Sequence, residues 1–186
     1  SKAIKYYKKV VEHQEADENY IVESYFKLGF CYLFGKGVKQ NTKTAFRYLN
    51  KAIKSEHIEA TYWLGYYYYD LWNKLEEDDK EVGKKAYKYL KSASDQNIEL
   101  SLHFLGQCYE TGIGIKQNFD KALISYKKSV LQNNDANSVI CIADIYYFKK
   151  EVDNIPEAFK WYKKAEKMGI IEGKFRVAEI ELFNEE

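Results

Sequence analysis

Three histidines, three cysteines, two Gly-x-Gly pairs and one acidic run are the places where this sequence could do chemistry. His13, His57 and His103 are scattered, and no H-E-x-x-H pattern joins any two of them. A metal centre needs three or four converging ligands, so no metal site is expected. Cys31, Cys108 and Cys141 are odd in number and widely spaced, which fits neither a disulfide framework nor a zinc pattern. None of the 11 asparagines stands in an N-x-Ser/Thr sequon. Together these facts favour a reducing, intracellular setting and otherwise leave the compartment open. Gly35-x-Gly37 and Gly112-x-Gly114 lack the preceding strand and third glycine of a dinucleotide loop. Glu76, Glu77, Asp78, Asp79 and Glu81 are too dense for a core. They read as a solvated, mobile loop, with an acidic contact beside Trp72 as the alternative. Calcium-loop spacing is absent. No nucleophile, base and acid can be grouped from spacing, so no catalytic, cofactor-binding or metal-binding residue is nominated. A non-enzyme without cofactors is expected.

Elements must therefore carry the argument. One proline and 10 glycines in 186 residues are too few turn signals for most sandwiches or barrels, which favours helices. Hydrophobic residues make up 46% and charged residues 31%, enough to build a packed core. No apolar run approaches the 18 residues of a transmembrane helix. The chain opens at Ser1 in a segment that already reads as helix and shows no signal peptide, which suggests an excised or processed product. Two series repeat along it. Ala3, Ala45, Ala86, Ala122 and Ala158 each open an A-x-x-aromatic-like segment, with a small residue seven positions on at Ala52, Ala93, Ser129 and Ala165 and with Val10 in the first copy. Between them lie Leu28-Gly29, Leu64-Gly65, Leu105-Gly106, Ile142-Ala143 and Val177-Ala178. Tyr32, Tyr68, Tyr109 and Tyr146 follow three residues later, and Glu181 takes that place in the last copy. Each unit thus holds two amphipathic helices whose small residues allow close approach, and single units must stack to bury both faces. The Gly-x-Gly pairs fall at the joint between the helices, where glycine permits a left-handed helix end. Asn41, Asn118 and Asn154 sit four residues before their alanines as N-caps, and Pro156 falls in a first turn.

The run L-G-x-x-Y-x-x-G-x-G-V-x-x-N-x-x-x-A-F-x-Y-x-x-K-A from Leu28 to Ala52, nearly matched from Leu105 to Ser129, resembles the Sel-1-like repeat, a relative of the tetratricopeptide repeat. The resemblance implies an all-α, right-handed α/α superhelical solenoid of stacked antiparallel helix pairs. Read so, residues 1–186 form a single solenoid domain. It comprises a half-unit at 2–21, repeats at 22–59, 60–100, 101–137 and 138–171, and a C-terminal capping helix at 172–186. Cys31 and Cys108 share one repeat position two units apart, roughly 16–20 Å at the usual helix spacing. A disulfide needs Cα atoms within about 7 Å, so the two cannot pair, and all three cysteines read as small buried residues. The family's cysteine-clamped members show a pattern absent here.

The resemblance also implies a non-enzymatic scaffold or adaptor for proteins. By likeness to tetratricopeptide packing, the first helix of each unit lines a concave groove. Its facing positions give Phe26, Phe30 and Leu33, then Tyr62, Tyr66 and Tyr69, then His103, Gln107 and Glu110, then Ile140, Asp144 and Tyr147. This surface is aromatic at one end and polar-acidic at the other, with Glu23 and Glu59 adding negative charge. Four successive tyrosines, Tyr66 to Tyr69, sweep 100° per residue, so at least one must face outward. The expected partner is a protein or peptide with apolar anchors and basic residues. Lysines crowd the second helices instead, among them Lys85, Lys88 and Lys91. That stripe is either solvation of a convex face or a site for an anionic membrane. The net charge of +1 argues neither for nor against a nucleic acid, but no base-stacking motif accompanies the lysines, which disfavours one. An accessory domain of a larger enzyme is the third alternative, and oligomeric state is left open.

Overall fold

The computed structural model describes residues 1–13, 15–75, 79–149 and 154–183. Ten α-helices and no strand occur among them. In order they are α1 (Lys2–Glu12), α2 (Glu18–Phe34), α3 (Thr42–Lys54), α4 (Ile58–Lys74), α5 (Lys80–Asp95), α6 (Leu100–Thr111), α7 (Phe119–Asn133), α8 (Ala136–Phe148), α9 (Ile155–Lys167) and α10 (Ile171–Phe183). The helices α2 and α3, α4 and α5, α6 and α7, and α8 and α9 form tightly packed pairs. Helix α1 leans on α2, and α10 on α9. First helices also touch directly from unit to unit, α2 on α4 and α4 on α6. The acidic residues Glu76, Glu77 and Asp78 lie outside the described residues. Of their neighbours, Asp79 caps α5 by accepting from the amides of Glu81 and Val82, and Glu81 pairs with Lys84.

The joints explain the motif. Gly35 (φ 70°) and Gly112 (φ 82°) end α2 and α6 in the left-handed region, where a Cβ is disfavoured. The asparagine that follows is tied twice. Its backbone N–H donates back to the carbonyl of the motif tyrosine: Asn41 to Tyr32 at 2.9 Å, Asn118 to Tyr109 at 2.8 Å and Asn154 to Tyr146 at 2.9 Å. Its side-chain oxygen accepts from the third amide of the next helix, those of Thr44, Lys121 and Glu157. One residue thus closes the first helix and starts the second.

The L-G glycine marks the closest approach within a pair. A Cβ on Gly106 would stand 2.5 Å from the Tyr126 ring, and one on Gly29 2.6 Å from Leu49. Opposite them Ala45, Ala86, Ala122 and Ala158 are fully buried. A second small position, four residues before the leucine, recurs as Ser24, Ala60, Ser101, Ser138 and Gly173, all buried. There each first helix meets the preceding unit, as Gly173 meets Ala165. The expected equivalence fails at both ends of the stack. Ala3 and Ala178 are exposed, whereas their counterparts are buried. Among the described residues α1 has no first helix of its own and α10 no second helix, so nothing lies against those faces.

The cysteines are free thiols, and only Cys108 is fully buried. Cys31 and Cys141 are half-buried, which corrects the expectation for those two. Burial raises all three thiols, Cys108 and Cys141 to about 12.

Candidate functional site

An aromatic ridge crosses the first helices. Phe30 and Phe34 of α2 meet the edge of Trp63 of α4, with ring centroids 4.9 and 5.5 Å apart. Trp63 leads to Tyr66 at 5.8 Å, and Tyr66 to Phe104 of α6 at 5.1 Å. Tyr69 closes on Phe104 at 5.2 Å. These rings are half-buried, so each offers part of its area to solvent. Beside the ridge a cleft of about 370 Å³ is lined by Glu59, Tyr62, Trp63, Ile98, Glu99 and Leu100.

Not every nominated residue shares this surface. Phe30, Tyr66 and Tyr69 belong to the ridge. Phe26 and Tyr62 lie beneath it, only 3% and 6% exposed. Phe26 is stacked on His57 at 4.4 Å, and burial pushes the Tyr62 hydroxyl up to about 12. They support the ridge more than they present it. The tyrosine run is shared between two sides. Tyr66 and Tyr69 flank Phe104, while Tyr67 and Tyr68 pack against Phe46 of α3, and Tyr68 stacks on Tyr89 of α5. Phe34, Trp63 and Phe104 were missed by sequence reasoning. Trp63 and Phe104 both stand immediately before the L-G pair, so an aromatic at that position in successive units was the available signal.

The polar end is knitted into the fold. Glu110 accepts from the Tyr126 hydroxyl at 2.8 Å and Asp144 from the Tyr162 hydroxyl at 2.6 Å. Burial raises the Asp144 carboxyl despite that bond. The Gln107 Oε1 is enclosed and without a hydrogen-bond partner among the described residues. Tyr147 packs edge-on against Tyr162 and Phe148, with the Arg176 guanidinium over its ring. His103 joins Asp135 and Ser138, a serine, histidine and aspartate that spacing alone did not group. Its Nδ1 lies 2.9 Å from Ser138 Oγ and 3.1 Å from Asp135 Oδ2. A nucleophilic triad needs the acid and the serine on opposite ring nitrogens. Here both share one nitrogen, Ser138 is fully buried, and its hydroxyl donates to Asp135. The cluster is a helix cap: Asp135 also accepts from the amides of Asn137 and Ser138. Burial works to raise the Asp135 carboxyl, but bonds from His103, Ser138 and Ser129 outweigh it and hold the group well below its ordinary 3.8.

The lysines of the second helices have local partners. Lys8, Lys85, Lys121 and Lys127 reach over the motif tyrosines Tyr32, Tyr68, Tyr109 and Tyr146 at 5.3–5.8 Å. Lys88 covers Tyr89, and Lys91 pairs with Asp95. No described helix is long and apolar enough to cross a membrane.

The family model of the Sel1 repeat matches residues 1–12, 22–57, 58–98, 100–134 and 145–170. The chain belongs to the Sel1 repeat family. Sel1-repeat proteins are generally protein-interaction scaffolds, typically without enzymatic activity, and bind protein partners. Two crystal structures share the solenoid fold. One is a protective antigen of uropathogenic Escherichia coli displaying an SLR fold, with TM-score 0.74 and 19% identity over 97% of this chain. The other is a Sel1 repeat protein of Oxalobacter formigenes, with TM-score 0.66 and 21% identity over 92% of this chain. This Sel1-repeat chain spans 37% of the first and 66% of the second.

Proposed function

We propose that this Sel1-repeat chain is a non-enzymatic scaffold that holds an extended protein segment along its first helices. The direct contacts of α2 with α4 and of α4 with α6 support the reading of those helices as the inner lining of the solenoid. The supporting observation is the unbroken, half-exposed ridge Phe30–Phe34–Trp63–Tyr66–Phe104–Tyr69 spanning three of them. Rigid aromatic rings give large contact area at small entropic cost, and such anchors contribute about 2 kcal/mol or more each at protein interfaces. Glu59 and Glu99, exposed at the adjoining cleft, suit a segment with Lys or Arg beside its apolar anchors and would speed encounter at low salt. Glu110 and Asp144 contribute less to that charge, since each is bonded to a tyrosine of its own unit. Several lysines of the stripe, Lys85, Lys88 and Lys91 among them, are engaged in cation–π contacts or an ion pair, which weakens the membrane alternative.

The test uses peptides selected from a random display library on the immobilised protein. Trp63→Ala with Tyr66→Ala is expected to weaken their binding at least tenfold, with the circular dichroism unchanged. Reversal of Lys85, Lys88 and Lys91 to Glu is expected to change it less than threefold. Binding that survives the aromatic pair and is lost with the lysines would overturn the reading.

A further inference from the structure

We infer that helix α7 carries a second binding surface, apart from the aromatic ridge, which takes an acidic amphipathic helix of a partner protein. The five second helices can be compared place by place. Two and nine residues after the motif alanine, α1, α3, α5 and α9 carry Lys5 and Glu12, Arg47 and Lys54, Lys88 and Asp95, and Lys160 and Lys167. Helix α7 alone of the five has apolar residues at both places, Ile124 and Leu131. Ile124 is 55% exposed and Leu131 86%. Seven residues apart, they share one side of the helix, two turns or roughly 10 Å from each other. The opposite side of α7 holds the core: Ala122, Tyr126 and Val130 lie in one buried cluster with residues of α6, α8 and α9. Isolated apolar side chains are ordinary on a surface, but a matched pair in two places that the sister helices fill with charge forms a stripe.

Charge selects the occupant. Lys128 stands four residues after Ile124 and three before Leu131, beside both on the helix surface, and is exposed. Lys121 and Lys127, also exposed, lie over Tyr109 and Tyr146 and are thereby held at the two edges of the stripe. Asp120 is the one acid of α7. Two aliphatic side chains among three ammonium groups match a helix whose apolar positions recur at i, i+3 or i+4, and i+7, with Asp or Glu beside them. A second copy of this chain fits poorly. Laying Ile124 on the other copy's Leu131 about a two-fold axis centres that axis on Lys127 and Lys128, where like charges meet. An anionic bilayer fits poorly as well. Interfacial helices bury a broad apolar face, whereas α5 and α9 of the neighbouring units carry Lys88 with Asp95 and Lys160 with Lys167 in the matching places. The stripe lies on a second helix and the ridge Phe30–Trp63–Tyr66–Phe104 on first helices, so the two surfaces can be filled together. One chain then brings two proteins side by side.

A display library of helix-forming peptides, selected on the wild-type chain and counter-selected on Ile124→Ser with Leu131→Ser, tests this. Both side chains face solvent, so circular dichroism of the variant should match the wild type. The surviving sequences are expected to combine apolar residues at helical spacing with an excess of Asp and Glu. A synthetic survivor should bind the wild type at least tenfold more tightly than the serine variant, and at least threefold more tightly than Lys128→Glu. It should bind Trp63→Ala with Tyr66→Ala as well as the wild type, which separates this surface from the ridge whether or not the ridge has a partner. A selection that leaves no survivors, or survivors without the acidic excess, overturns the inference. So does a survivor whose binding is lost with Trp63 and Tyr66. A wild-type chain that sediments with phosphatidylserine vesicles, or that dimerises, through Ile124 and Leu131 also overturns it, because the occupant is then a membrane or a second copy.

Discussion

Asp135 concentrates several roles in one carboxylate: cap of α8, acceptor for Ser129 and Ser138, and partner of His103 across the unit boundary. Its folded value lies below its ordinary 3.8, so the stabilisation it gives is fully present above that pH and fades as pH falls toward the folded value. Asp135→Ala should cost about 1–2 kcal/mol at pH 7 from the lost cap. In urea titrations the gap to the wild type should narrow below pH 4, and a gap that widens in acid would refute the assignment. Leu105, 4% exposed, sits in the core of its pair, and Leu105→Ala should cost about 2–5 kcal/mol. A loss under about 0.5 kcal/mol would mean the leucine is not core. The raised thiols should alkylate slowly in the native protein near pH 7, and all three should react after denaturation without reductant. Finding a single reactive thiol under those conditions would contradict their free state.

Helices and joints were the most legible level, because their signals are local. An asparagine cap, a glycine in the left-handed region and a proline in the first turn each act within a few residues, and the structure places Asn41, Gly35 and Pro156 in those roles. Asn118→Ala should therefore cost about 1 kcal/mol, read as a lowered urea midpoint at constant slope. Gly106→Ala should cost about 1–3 kcal/mol, since the added methyl would push into the Tyr126 ring. At Gly169 no atom lies within 4 Å, so the same substitution should cost only the strain of a left-handed φ of 80°, about 1–2 kcal/mol. Less legible was what depends on a neighbour. Ala3 and Ala178 carry the motif, but no helix among the described residues covers them. Trp63 and Phe104 form the ridge only when α4 and α6 are laid side by side, and Phe26 and Tyr62 sink beneath it for the same reason.

In the molecule as a whole, charge and aromatics are sorted by helix type for a packing reason. Second-helix lysines lie over first-helix tyrosines, within a pair for Lys85 and Lys121 and across the unit boundary for Lys127, while a different set of rings forms the ridge on the first helices, the proposed inner face. The central claim is that this inner face receives the partner. Hydrogen–deuterium exchange with a library-selected peptide bound reports on every element at once. Exchange should slow in α2, α4 and α6, around Phe30, Trp63, Tyr66 and Phe104, and remain unchanged in α3, α5 and α7. Protection concentrated instead on α3 and α5, with α4 unaffected, would contradict the account.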